Sequence, residues 1–128
     1  MPSPRFWSNA GCALGLAPAV YGLHALFAPA GALAGFGLPG GSTLQDRALA
    51  QGLLRIYGVR NVVISLTLLT AWYRGHRETQ GVGLVLGALM PLVDGLVFKD
   101  LLGGGEWKHW GFVPFLVGIG AGVLGWLG

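Results

Sequence analysis

The sequence predicts an all-α fold, a bundle of four transmembrane helices, and three observations carry that prediction. Hydrophobic residues make up 53% of the 128 residues and Asp, Glu, Lys and Arg together only 10%, against about 25% charged in a typical soluble domain. Four apolar stretches approach the roughly 20 residues a helix needs to cross a hydrocarbon layer about 30 Å thick. Between them stand clusters of Gly, Pro and charge rather than soluble domains. A soluble domain this short exposes much of its surface and needs charge to cover it, which eight Lys plus Arg and five Asp plus Glu do not supply. Lipid covers the chain instead. The apolar content excludes disorder, and the 24 glycines follow no triplet period that would indicate collagen. One integral membrane domain, residues 1–128, is expected.

The first span covers about residues 6–27; its length exceeds the roughly 7–15 apolar residues of a cleaved signal, so it is read as retained. Pro29 with Gly31, then the run Gly35-Phe36-Gly37-Leu38-Pro39-Gly40-Gly41, break that helix and predict an apolar loop against the membrane face. Ser42 or Thr43 starts the second span, about residues 48–72, with Asp46 suited to the positive helix end. The short charged run from Arg74 to Thr79 predicts the turn of an antiparallel hairpin leading to the third span, about residues 81–102. Gly103, Gly104, Gly105 and Glu106 form a flexible third loop, and the fourth span covers about residues 110–127. Lys99, Asp100, Glu106, Lys108 and His109 around that loop are expected to be solvated.

Aromatic side chains stand near the predicted ends: Phe6, Trp7, Trp72, Tyr73, Trp107, Trp110 and Trp126, where amphipathic rings favour the interface. Arg5, Arg74 and Arg77 flank one side and Arg47, Lys99 and Lys108 the other, so the positive-inside count ties. The free amino group tips the N-terminus to the cytosol, with the C-terminus on the same side. Gly11 and Gly15, Gly83 and Gly87, and Gly118 and Gly122 are each four apart. Small residues at that spacing let helix backbones approach closely in lipid, within one chain or between copies.

Charge inside an apolar span is costly, at least about 2.5 kcal/mol for one Arg or Asp at a helix centre. The second span nevertheless carries Gln51, Arg55, Tyr57, Arg60 and Asn61, which are expected to face protein or trapped water. Tyr57, Arg60 and Asn61 share one helix face by their spacing, while Gln51 and Arg55 share another. The third span carries one deep acid, Asp94, as counter-ion. Arg60 lies 16 residues before His76 and Asp94 18 after it, so the two have nearly equal depth and Arg60 is favoured over Arg55 as partner. One salt bridge pinning two helices uses one arginine. The second leaves surplus positive charge suited to a substrate oxygen, an anion or a developing alkoxide. Pro91 is expected to kink the third span one turn before Asp94 and open room beside it. His24 is read as interfacial.

The run Arg55-Ile56-Tyr57-Gly58-Val59-Arg60-Asn61, with Asp94 downstream, resembles a family of small four-helix membrane proteins classed as a domain of unknown function. The likeness spans nearly the whole chain. It implies that Arg55, Gly58, Arg60, Asn61 and Asp94 match the family's recurring positions. Members occur in fungi and some bacteria, and the setting of some fungal members among secondary-metabolite genes implies tailoring of a lipophilic polyketide or terpenoid.

Scattered basic residues, despite a net charge of +3, make no phosphate-binding stripe, so no nucleic-acid partner is expected. Cys12 is the single cysteine and supports neither an intrachain disulfide nor a cysteine zinc site. No metal spacing, nucleophile elbow, Walker loop or dinucleotide fingerprint is present, and no cofactor is expected. Two functions fit this inventory. One is a cofactor-independent membrane enzyme using Asp94, Arg60 and Arg55 for acid–base chemistry, by epoxide opening, cyclisation or isomerisation, on a lipophilic small molecule bound by Tyr57, Asn61 and Gln51. The other is a protein that binds or transports such a ligand without turnover, as an oligomer.

Overall fold

The computed structural model describes residues 2–127, which form helices and turns and no strand. Seven helical segments follow one another among these residues: α1 (Pro4–Phe27), α2 (Pro29–Phe36), α3 (Leu44–Tyr73), α4 (Arg77–Gly87), α5 (Leu89–Leu102), α6 (Trp107–Trp110) and α7 (Val113–Leu124). Three stretches are long and apolar enough to cross a membrane, Pro4–Phe27, Leu44–Tyr73 and Arg77–Leu102. The last combines α4 and α5, interrupted at Ala88. Pro91 causes that break, since it cannot donate the bond that would close on the Gly87 carbonyl; the Ala88 N–H instead reaches back to Val85 O at 3.2 Å. The interruption falls about one turn before Pro91, not one turn before Asp94.

Contacts divide the chain into two compact units, one built from the chain up to Gly15 together with everything from Leu68 onward, the other from Leu16–Thr67. In the first unit, α1 meets α4 through a reciprocal clamp: the Ser8 hydroxyl donates to Gln80 Oε1 and the Gln80 Nε2 amide donates to Ser8 O, both at 2.8 Å. Gln80 is fully buried, so this closed pair satisfies polar groups that lipid would leave unpaired. Gly11 gives the clamp room, since a Cβ there would stand 2.9 Å from Gln80 Nε2. Trp72 donates from Nε1 to Asn9 Oδ1, and Trp7 packs directly on Gly122.

α7 runs antiparallel to α4. Arg77 Nη2 donates to Val123 O at 2.7 Å, where the exposed carbonyls of a helix C-terminus attract a cation. A Cβ on Gly81 would lie 3.1 Å from Gly120 O, and one on Gly120 3.0 Å from Gly81 O, a close approach of two backbones. α7 has 12 residues, about 18 Å at 1.5 Å per residue, short of the 30 Å layer. The fourth stretch, expected over 110–127, is thus divided into α6, a turn at Gly111 and Phe112, and α7.

The second unit contains the other half of the α1–α3 pairing. A Cβ on Gly22 would stand 2.6 Å from Gly58 O, and one on Gly58 2.6 Å from Gly22 O, so both positions require glycine. Of the segment expected to be an apolar loop, Pro29–Phe36 is the helix α2 and the remainder up to Thr43 is non-helical. Pro29 begins it, with φ preset for the first turn. Gly37 ends it at φ 70°, with Leu38 N–H closing on Leu33 O at 3.0 Å. α2 buries Ala32 and Leu33 with Ala25 of α1 and Leu54 of α3. At the start of α3, Asp46 N–H donates to Thr43 Oγ1 and Thr43 N–H donates to Asp46 Oδ2, a capping box that selects Thr43 over Ser42 as the start.

Candidate functional site

Register within the second unit sets the depth of the arginines. Counting equal steps from the Gly22–Gly58 contact, the end of α1 at Phe27 falls level with Leu53. The residues of α3 from Leu44 to Gly52 extend about 14 Å beyond it. Arg55 lies within about 3 Å of that level. It is exposed, as is Arg60, about one and a half turns further in. Both were expected against protein or trapped water. Arg60 lays its guanidinium over the Tyr57 ring, 5.2 Å from the centroid, an attraction of cation and ring quadrupole. Tyr57 is half-buried and meets Phe36 of α2 edge to face, with centroids 6.0 Å apart. Gln51 is half-buried and Asn61 buried.

Asp94 belongs to the first unit and is half-buried on α5. The short helix α6 folds onto this part of α5. Trp110 donates from Nε1 to Leu92 O at 3.2 Å and lies directly on Gly95, where no larger residue fits. Phe98 stacks with His109 at a centroid distance of 4.3 Å. His109, expected to be solvated, is consequently half-buried. Burial holds its pKa below the ordinary histidine value; the Asp94 charge opposes that shift and Lys108 adds to it. The structure therefore brings Asp94 within electrostatic reach of an imidazole that sequence reasoning passed over. The signal was faint: a histidine beside Trp110, just after three glycines whose Gly103 and Gly105 take positive φ, which lets the chain turn back on α5.

Ser65, which sequence reasoning passed over, is fully buried, and Asn61, expected to face protein or trapped water, is 5% exposed; neither Ser65 Oγ nor Asn61 Nδ2 has a hydrogen-bond partner. No group of three or more His, Cys, Asp or Glu suited to a metal ion occurs among the described residues.

An all-helical protein with three bilayer-length apolar helices and polar groups set into them is, by class, a membrane protein. The chain belongs to the family described as Domain of unknown function (DUF4267), whose model matches residues 15–123. No curated protein and no solved structure matches it.

Proposed function

We propose that the protein carries out acid–base chemistry on a lipophilic small molecule in the membrane, with Asp94 and His109 moving the proton. The observation that carries this reading is the folding of α6 onto α5, which lays Trp110 on Gly95, next to Asp94, and the half-buried His109 against Phe98, one turn along from Asp94. An imidazole biased towards its neutral form accepts a proton, and a carboxylate nearby stabilises the imidazolium that results. The indole of Trp110 and the ring of Phe98 wall this pair with apolar surface, which suits a hydrophobic substrate. Epoxide opening, cyclisation and isomerisation all move a proton as charge develops on oxygen or carbon, and a polyketide or terpenoid skeleton fits the surroundings.

In the same reading the fourth crossing runs over about residues 110–127, with Val113–Leu124 supplied by α7 after the turn at Gly111 and Phe112.

Binding or transport without turnover is the second reading, favoured by the exposed cations Arg55 and Arg60 on α3 beside the half-buried Gln51 and Tyr57. Arg60→Lys keeps the charge and loses the planar face stacked on Tyr57, so this reading predicts weaker ligand retention in that variant.

Comparison of extractable metabolites from cells carrying the intact gene and cells carrying Asp94→Asn separates the two. Accumulation of one discrete precursor in the variant supports chemistry; unchanged metabolites with altered ligand retention support binding.

A further inference from the structure

Asn61 and Ser65 stand four residues apart on α3, so they share one helix face, and both are buried with a hydrogen-bonding atom left without a partner. That face meets α1: a Cβ on Gly22 would stand 3.0 Å from Asn61 Cβ. One turn earlier on α1 stand the half-buried Pro18 and Ala19, whose side chains neither donate nor accept a hydrogen bond. A serine inside a helix ordinarily satisfies itself by donating to the carbonyl four residues back. Ser65 does not, whereas Thr67 on the same helix does, with Oγ1 donating to Val63 O at 2.9 Å. Leucine at 61 and alanine at 65 would remove two unpaired groups from an apolar seam, so keeping Asn and Ser there costs stability. Residues that cost stability are expected where they serve binding or chemistry.

We infer that Asn61 and Ser65 form a two-donor subsite for a carbonyl or hydroxyl oxygen of a lipophilic guest entering the α1–α3 seam of the second unit. The inference rests on the reading that the membrane part receives a lipophilic small molecule, and it does not depend on turnover. Asn61 Nδ2–H and Ser65 Oγ–H, one helical turn apart, can both donate to a single acceptor oxygen, as an oxyanion-type pair does. An unfunctionalised hydrocarbon of the same length satisfies neither.

Thermal unfolding of the detergent-solubilised full chain with undecan-2-one, and with undecane as the probe lacking oxygen, tests this. The ketone is expected to raise the Tm of the wild type more than undecane does. Asn61→Leu/Ser65→Ala is expected to melt higher than wild type without additive and to lose the ketone-specific rise. Ser65→Ala alone, the gentler change, is expected to reduce it. Equal shifts by the two probes, or a ketone-specific rise that survives in the double variant, would overturn the subsite. A double variant that melts lower than wild type would also overturn it, because the pair would then be serving the fold, for instance by holding a resident water. Asp94→Asn is expected to retain the ketone-specific rise, so that failure of the chemistry and failure of the subsite give different results.

Discussion

On His109, burial and a neighbouring charge act in opposite directions, and burial prevails: its pKa is lowered although Asp94 works to raise it. An unfolded histidine titrates near pH 6.5, so as the pH falls the unfolded chain takes up this proton first. The stability tied to the neutral imidazole is therefore fully present above about pH 6.5 and is lost as the pH falls from there through the lower folded-state value. Melting curves across that range should show wild-type Tm falling on acidification, and His109→Gln should flatten that part of the profile. Asp94→Asn removes the raising influence, so NMR titration should find the His109 pKa lower still. Gln80 offers a structural comparison. Ser8→Ala leaves its buried Oε1 without the hydroxyl donor, at a cost of about 1–3 kcal/mol, measurable by unfolding in detergent. Asp94 and the two arginines were legible in the sequence because charge is rare in an apolar run. His109 was not, since it lies beside charged residues at a predicted helix end and reads as solvated, and Gln80, between the charged turn and the third span, drew no reading.

Helix breaks and glycine contacts decide how the elements meet. Pro91 announced its interruption of the third span, because a missing N–H is a local property. Gly11, Gly15, Gly83 and Gly122 of the four-apart pairs do meet side chains of other helices, while Gly87 and Gly118 face open space. The tightest backbone approaches, Gly22 with Gly58 and Gly81 with Gly120, involve partners that no spacing within one helix connects. Replacing Gly58 by valine should separate α1 from α3 and lower Tm, because its Cβ would meet backbone atoms that cannot swing aside. Gly95→Ala addresses α6: the methyl would collide with Trp110, which donates to Leu92 O. Lifting α6 from α5 should return the His109 pKa towards the ordinary value, read by the same NMR titration. The division of the fourth stretch was passed over because the run is apolar throughout, although Pro114, which cannot donate to the Trp110 carbonyl, carries the same local signal as Pro91.

Across the whole molecule, side chains such as Phe27, Leu53, Ile56, Val63 and Leu66 are exposed, while the buried hydrophobic set is small. Lipid contact accounts for that inversion of the usual soluble pattern. Within the first unit, Trp7 near the start of the chain packs on Gly122 near its end, so both ends are expected on one side of the membrane. Cysteines introduced at Ser3 and Leu127, with Cys12 replaced, should both react with an impermeant reagent from the same face of sealed vesicles. The central claim is chemical: Asp94, acting with His109, moves a proton on a lipophilic substrate. Its most direct measurement is turnover of the precursor that accumulates in Asp94→Asn cells, by wild-type and variant proteins reconstituted in liposomes, with Tm and size-exclusion profiles confirming that each is folded. Wild type should convert the precursor, Asp94→Asn should abolish conversion, and His109→Gln should reduce it about 100-fold or more, the scale of a lost acid–base partner. Full conversion by a folded Asp94→Asn protein would contradict the account.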